Sequence, residues 1–94
     1  MPQRRDIVTK YEIEYAPAAA KYLSKLRNSK LKSRLDAAIE KLAENPRPSG
    51  CKKLVGRGNL YRVRTGEYRV IYRVDDGVLV VLVLYVGHRS EIYG

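Results

Sequence analysis

The stretch LYRVRTGEYRVIYRVDDGVLVVLVLYV, residues 60–86, decides the fold. Its Tyr, Val and Ile recur with period two, the pattern of strands with one face buried. Three strands follow from it, over residues 60–64, 68–74 and 78–86. Thr65-Gly66 or Gly66-Glu67 supplies the first hairpin turn. Asp76-Gly77 supplies the second, and Asp-Gly is the preferred pair for a type I′ turn. The third strand is apolar at every position from Val78 to Val86, so it is expected to be central and covered on both faces. A meander provides it with one neighbour, which leaves its other edge for a strand from elsewhere.

Upstream, Tyr11, Ile13 and Tyr15 alternate with Glu12 and Glu14, marking a strand over residues 7–15 for that edge. Pro17 suits a first helical turn, where its missing N–H costs nothing. Residues 18–27 read as a helix, with Ala19, Leu23 and Leu26 on one stripe. Asn28-Ser29 interrupts it, with Ser29 as the expected cap of a second helix over residues 30–44. On that helix Leu31, Leu35, Ala38, Ile39 and Leu42 share one face. Asn45-Pro46-Arg47-Pro48 stops it. So short a break between helices implies an antiparallel helical hairpin. The expected fold class is α+β: an N-terminal strand, the helical hairpin and a three-stranded antiparallel meander in one sheet, forming one domain over residues 1–94.

The chain of 94 residues has room for one core, which excludes a multi-domain enzyme, a repeat solenoid or a dinucleotide-binding fold. Nineteen Lys+Arg against ten Asp+Glu give a net charge of +9 and a pI near 9.9. Such an excess favours polyanionic partners, nucleic acid ahead of an anionic membrane. The single Cys51 cannot form an internal disulfide. With His88 as the one histidine, the chain has too few soft ligands for tetrahedral zinc. Residues 1–10 are polar, and the longest apolar run is about half a membrane span. These features point to a soluble cytoplasmic protein without a cofactor or metal.

Eight basic residues lie between Arg47 and Arg73 (Arg47, Lys52, Lys53, Arg57, Arg62, Arg64, Arg69 and Arg73), against one acidic residue, Glu67. A two-residue turn pairs an even position with an odd one. Either choice at Gly66 therefore puts Arg62 and Arg64 on the same face as Arg69 and Arg73, and turns the Tyr/Val face towards the helices. Four guanidiniums without partners resist desolvation, so the arginine face is expected to stay in solvent. Like charges across adjacent strands destabilise a sheet, which points to a bound anion that offsets them. Downstream, His88, Arg89, Glu91 and Tyr93 fall within six residues. Simple alternation puts His88 on the arginine face, and a bulge or turn at Gly87 would reverse that. Cys51 lacks an accompanying His or Asn signature and is not expected to be a nucleophile.

Together, LYRVR (60–64), GEYRVIYR (66–73) and VGHRSEIY (86–93), in this order of elements, resemble the RelE/ParE superfamily of bacterial toxins. The C-terminal segment is similar to that of the RelE branch, whose members cleave mRNA in the ribosomal A site. The resemblance implies that Arg62 and Arg64 contact RNA and that Arg69 holds the scissile phosphate. It also matches Arg89 and Tyr93 to the family's terminal arginine and tyrosine, with His88 standing where some members carry Lys. Lys52, Lys53, Arg57 and Arg73 are expected to add RNA contacts. The implied activity is a ribosome-dependent, metal-independent endoribonuclease in which the ribose 2′-OH attacks the adjacent phosphate. Tyr93 and His88 are alternative general bases; Arg89, always protonated, is better suited to charge stabilisation. The implied partners are a cognate antitoxin, the ribosome and mRNA, with no membrane. Two alternatives remain on the same residues: a ParE-like inhibitor of DNA gyrase, and a nucleic-acid-binding module that leaves its ligand uncut.

Overall fold

The alternating stretch folds as three antiparallel strands in a computed structural model that describes residues 10–54, 56 and 58–92. In chain order the elements are β1 (Glu12–Tyr15), α1 (Pro17–Lys25), α2 (Ser29–Lys41), β2 (Lys52–Lys53), β3 (Leu60–Thr65), β4 (Tyr68–Asp75), β5 (Val80–His88) and α3 (Arg89–Ile92). They form one five-stranded sheet of order β1-β5-β4-β3-β2. β1 takes the edge that the meander leaves vacant, as expected, and runs parallel to β5, with pairing from Glu12↔Val80 onward. Residues 7–9 of the expected first strand lie outside the described residues. The two-residue edge strand β2, beside β3, is an addition to the expected sheet.

Local chemistry sets where the two long helices begin. Pro17 occupies the first turn of α1, as its fixed φ favours. The cap of α2 is Asn28 rather than Ser29: its side-chain oxygen accepts from the Leu31 amide at 3.0 Å. Asn28 holds the extended backbone that a capping residue needs, and Ser29 becomes the first helical residue. The helices cover one face of the sheet. Ala19, Leu23, Leu35, Ile39 and Leu42 pack there against Tyr61, Val63, Val70, Tyr72, Val74, Val81, Val83 and Val86.

Two turns set the register. Thr65 pairs with Tyr68 around Gly66-Glu67, and Gly66, at φ 61°, supplies the left-handed conformation that other residues adopt at a cost. The second turn corrects the expectation of a two-residue Asp76-Gly77 loop. Asp75 pairs with Val80, so four residues intervene and β5 starts and ends two residues later than expected. The Asp75 carboxylate accepts from the Gly77 amide at 3.1 Å, an Asx turn, and the left-handed position passes to Leu79 at φ 57°.

β5 is central but is not covered on both faces, because the single helical layer lies on one side only. Tyr85 is 57% exposed on the other. The pairing also slips within the strand: Tyr72 faces Val83 and Ile71 faces Tyr85, so Leu84 is an extra residue, a β-bulge. Up to Val83 the odd positions of β5 face the core; beyond Leu84 the even ones do.

At the β4–β5 turn an ion pair ties the 45–48 loop to the sheet. Arg47 binds Asp76 through both terminal nitrogens, at 2.7 and 3.2 Å, and its Nε donates to the Tyr61 hydroxyl at 2.9 Å. Tyr11 donates to Asp76 Oδ1 at 2.6 Å, and the buried Tyr72 hydroxyl donates to the Pro46 carbonyl at 2.7 Å. The Arg47 guanidinium, then the Tyr11 hydroxyl, hold the Asp76 carboxyl below its usual range. A depressed folded-state pKa stabilises above the unfolded pKa, and that contribution is lost as pH falls through the folded value. Asp76→Asn is therefore expected to lower the urea midpoint at neutral pH and to converge with the parent as pH falls through and below the ordinary carboxylate range. A gap that stays constant over that range would show that the carboxylate charge contributes nothing.

Candidate nucleic-acid interface

The register builds the open face of the sheet in rows. One row crosses from Lys52 through Arg62 and Ile71 to Tyr85. The next holds Arg64, Arg69 and Gly87. A third, on the other side of the first, holds Leu60, Arg73, Leu82 and Glu14. Arg62, Arg64 and Arg69 are thus neighbours on two strands about 4.8 Å apart. The shared face expected from turn parity is present.

Its solvation differs from expectation. Arg64 is exposed, but Arg62 is half-buried and Arg69 is only 6% exposed. The short α3 packs against β5 and β4 at this end of the sheet, and Gly87 is the β5 neighbour of Arg69. Arg62 Nε is shielded from solvent and has no acceptor among the described residues. An N–H in that state is costly unless an acceptor arrives. Arg64 directly opposes Arg69, a like-charge cross-strand pair.

The other candidates separate. Lys52 joins the arginine face and is exposed, whereas Lys53 pairs with Tyr61 on the helix side. Arg73 keeps to the arginine face but shares a hollow with the Glu14 and Asp75 carboxylates. Arg47 belongs to the ion pair at the far end of β4. Arg57 and Tyr93 lie outside the described residues.

His88 is not on the arginine face where simple alternation places it. It pairs with Tyr68 on the helix side, because the Leu84 bulge reverses the parity of the last turns of β5. Its ring meets Tyr68 edge-on, with 5.3 Å between centroids. Nδ1 lies 3.3 Å from the Ser90 amide, which donates to it, and 3.0 Å from the Ser90 hydroxyl. An Nδ1 that accepts leaves the proton of the neutral ring on Nε2. Arg89 opens α3, where its amide donates to the Glu67 carbonyl at 2.8 Å and its Nε meets Glu67 Oε1 at 2.8 Å. The acidic residue of the basic run therefore ties the β3–β4 turn to the end of β5.

Tyr85 was missed by the sequence pattern. Unbroken alternation assigns it to the core, and nothing in an apolar run signals a bulge. In the fold it stands on the open face beside Ile71. Among the described residues no group of three or more His, Cys, Asp or Glu could hold a metal ion. No described helix is long and apolar enough to cross a membrane. What the face offers is a set of fixed cationic donors matched to a phosphate, since guanidinium forks bind its oxygens in pairs.

Comparison with known proteins places this arrangement. Residues 13–93 match the family of ParE toxins of type II toxin-antitoxin systems, parDE. The chain is 33% identical to the mRNA interferase toxin RelE of Escherichia coli over 87 residues, 88% of this chain and 90% of that protein. It is 30% identical to toxin RelG of Mycobacterium tuberculosis, over 88% of this chain and 95% of that one. The fold superposes on the toxin of the intact E. coli RelBE toxin-antitoxin complex with a TM-score of 0.73 at 30% identity, over 83% of this chain and 95% of that one.

The opposed pair makes a prediction of its own. Arg64→Gln relieves a like-charge contact and is expected to stabilise the free protein by roughly 0.2–1 kcal/mol in low salt. Urea denaturation at low and high salt checks it: the gain should shrink as salt screens the pair, and a destabilised Arg64→Gln would contradict the repulsion.

Proposed function

This chain belongs to the RelE/ParE toxin superfamily of type II toxin-antitoxin systems, in its RelE-like branch, and from that premise we propose that it is a ribosome-dependent, metal-independent endoribonuclease acting on mRNA. The observation that supports this most is the convergence of Arg62, Arg64 and Arg69 on one face, with the Arg62 Nε shielded and unmet among the described residues. A phosphodiester bound there supplies the missing acceptor and cancels the Arg64–Arg69 repulsion. The ribose 2′-OH attacks the adjacent phosphorus in line, producing a 2′,3′-cyclic phosphate and a 5′-hydroxyl.

Arg69 and Arg64 stabilise the charge that develops on the phosphate oxygens, a role for which each fixed donor is typically worth about 100-fold in rate. Arg89, held by Glu67, adds positive charge at the same end of the sheet. His88 faces away from the arginines, which favours Tyr93 over it as the acceptor of the 2′-OH proton. Neighbouring cations lower a phenol's pKa and so suit it to that task. A catalytic set this weak in acids and bases gains from a partner that orients the message, which is the part assigned to the ribosome. The inhibitory partner is a cognate antitoxin, in keeping with the toxin-antitoxin complex on which the fold superposes. An acidic segment suits the +9 surface.

The matched family is named for ParE, which carries a second reading on the same scaffold, inhibition of DNA gyrase. The name mRNA interferase, borne by the E. coli relative, favours RNA. Primer extension on a translated message separates the two. The parent chain is expected to cut within the reading frame only when ribosomes engage it, and Arg69→Ala or Tyr93→Phe should reduce cutting by about 100-fold. Undiminished cutting by both variants at matched protein level would remove the site assignment. Intact message with a DNA-damage response would favour gyrase.

A further inference from the structure

The largest apolar side chain exposed on the arginine face is unexplained by phosphate binding. Tyr85 is 57% exposed, more than Tyr15 or Leu79 at 39% each. It reaches this face only through the Leu84 bulge, which interrupts a strand that otherwise alternates in register with β4. Bulges characteristically re-aim a side chain beside a functional site. The ring stands in one row with Ile71, Arg62 and Lys52, and diagonally across from Arg69, whose direct neighbour on β5 is Gly87. Diagonal cross-strand neighbours are about 7–8 Å apart, within reach of one another's long side chains.

We propose that Tyr85 is a stacking platform for an RNA base next to the phosphate held by Arg64 and Arg69. This deepens the RNA reading and rests on it. An open antiparallel sheet that carries an aromatic ring among basic residues is the arrangement by which proteins hold single-stranded RNA: the cations follow the backbone and the ring takes a base on its π-face. The glycine beside Arg69 leaves the way between phosphate and ring clear of a side chain. Stacking tolerates any base, so Tyr85 confers affinity and reading position rather than a codon preference. A protein anchor is the competing use of an exposed tyrosine, but this one stands on an open sheet face beside Ile71, with Arg62 along its row and Arg69 on the diagonal, rather than between the walls of a desolvated pocket.

The test uses a short single-stranded RNA with 2′-O-methyl riboses, which cannot be cut, and a second oligomer with one abasic nucleotide. The parent chain is expected to bind the intact oligomer about 5- to 100-fold more tightly than the abasic one. Tyr85→Leu should lose that preference with an unchanged urea midpoint. Tyr85→Trp should keep it, and its indole, the first in a chain with no Trp, should be quenched on binding. If Tyr85→Leu discriminates as the parent does while Arg69→Ala weakens both oligomers, stacking is wrong and the RNA reading stands. If Arg64→Gln and Arg69→Ala leave both affinities unchanged, the RNA reading itself fails and takes this proposal with it. Should Tyr85→Leu leave RNA binding intact but release the antitoxin, the ring is a protein anchor and the proposal is overturned.

Discussion

The pairing of Thr65 with Tyr68 around Gly66-Glu67 sets the face of every side chain on β3 and β4. A register moved by one residue sends an entire strand's apolar set to solvent, so the buried Tyr61, Val63, Val70 and Tyr72 admit one solution only. That solution delivers Arg62, Arg64 and Arg69 together to the opposite face. The hydrophobic layer beneath the helices and the cationic layer above it are two consequences of one turn, and neither can shift without the other.

The cationic layer is a strained arrangement for a free protein. Arg64 and Arg69 oppose each other, Arg69 is nearly buried, and the Arg62 Nε finds no acceptor among the described residues. The opposed like charges and the unmet Arg62 N–H each lower stability, and a bound phosphate answers both. Arg47 shows the contrast at the far end of β4: two hydrogen bonds to Asp76, one to Tyr61 and a cation–π contact with the same ring make it a tie between loop and sheet. The same residue type ties loop to sheet at one end of β4 and lines the open face at the other.

One extra residue redistributes the rest of the site. The Leu84 bulge turns Tyr85 outward and His88 inward, exchanging the two rings between faces. His88 then spends its ring on Tyr68 and Ser90. The end of β5 and the β3–β4 turn are joined by the Glu67–Arg89 contact, both of whose side chains are largely exposed, so its value lies in placing Arg89 rather than in stability.

Local rules were enough for the N-terminal strand, the two long helices and the three-stranded meander in their order, for the edge that the N-terminal strand takes, for Pro17 at the start of α1 and for the shared face of Arg62, Arg64 and Arg69. Each follows from periodicity or turn parity within a few dozen residues. The choice of Asn28 over Ser29 as cap and the four-residue loop after Asp75 lay beyond them, since each turns on which side-chain oxygen captures a backbone amide, and the edge strand at Lys52 did too, since it forms by pairing with β3. Only the tertiary structure decided the facing of Tyr85 and His88 and the burial of Arg69. A bulge has no mark in an all-apolar run, because alternation there is invisible when both faces are written in Val and Leu. Burial of a charge likewise depends on what the fold brings around it, which periodicity along one strand does not register.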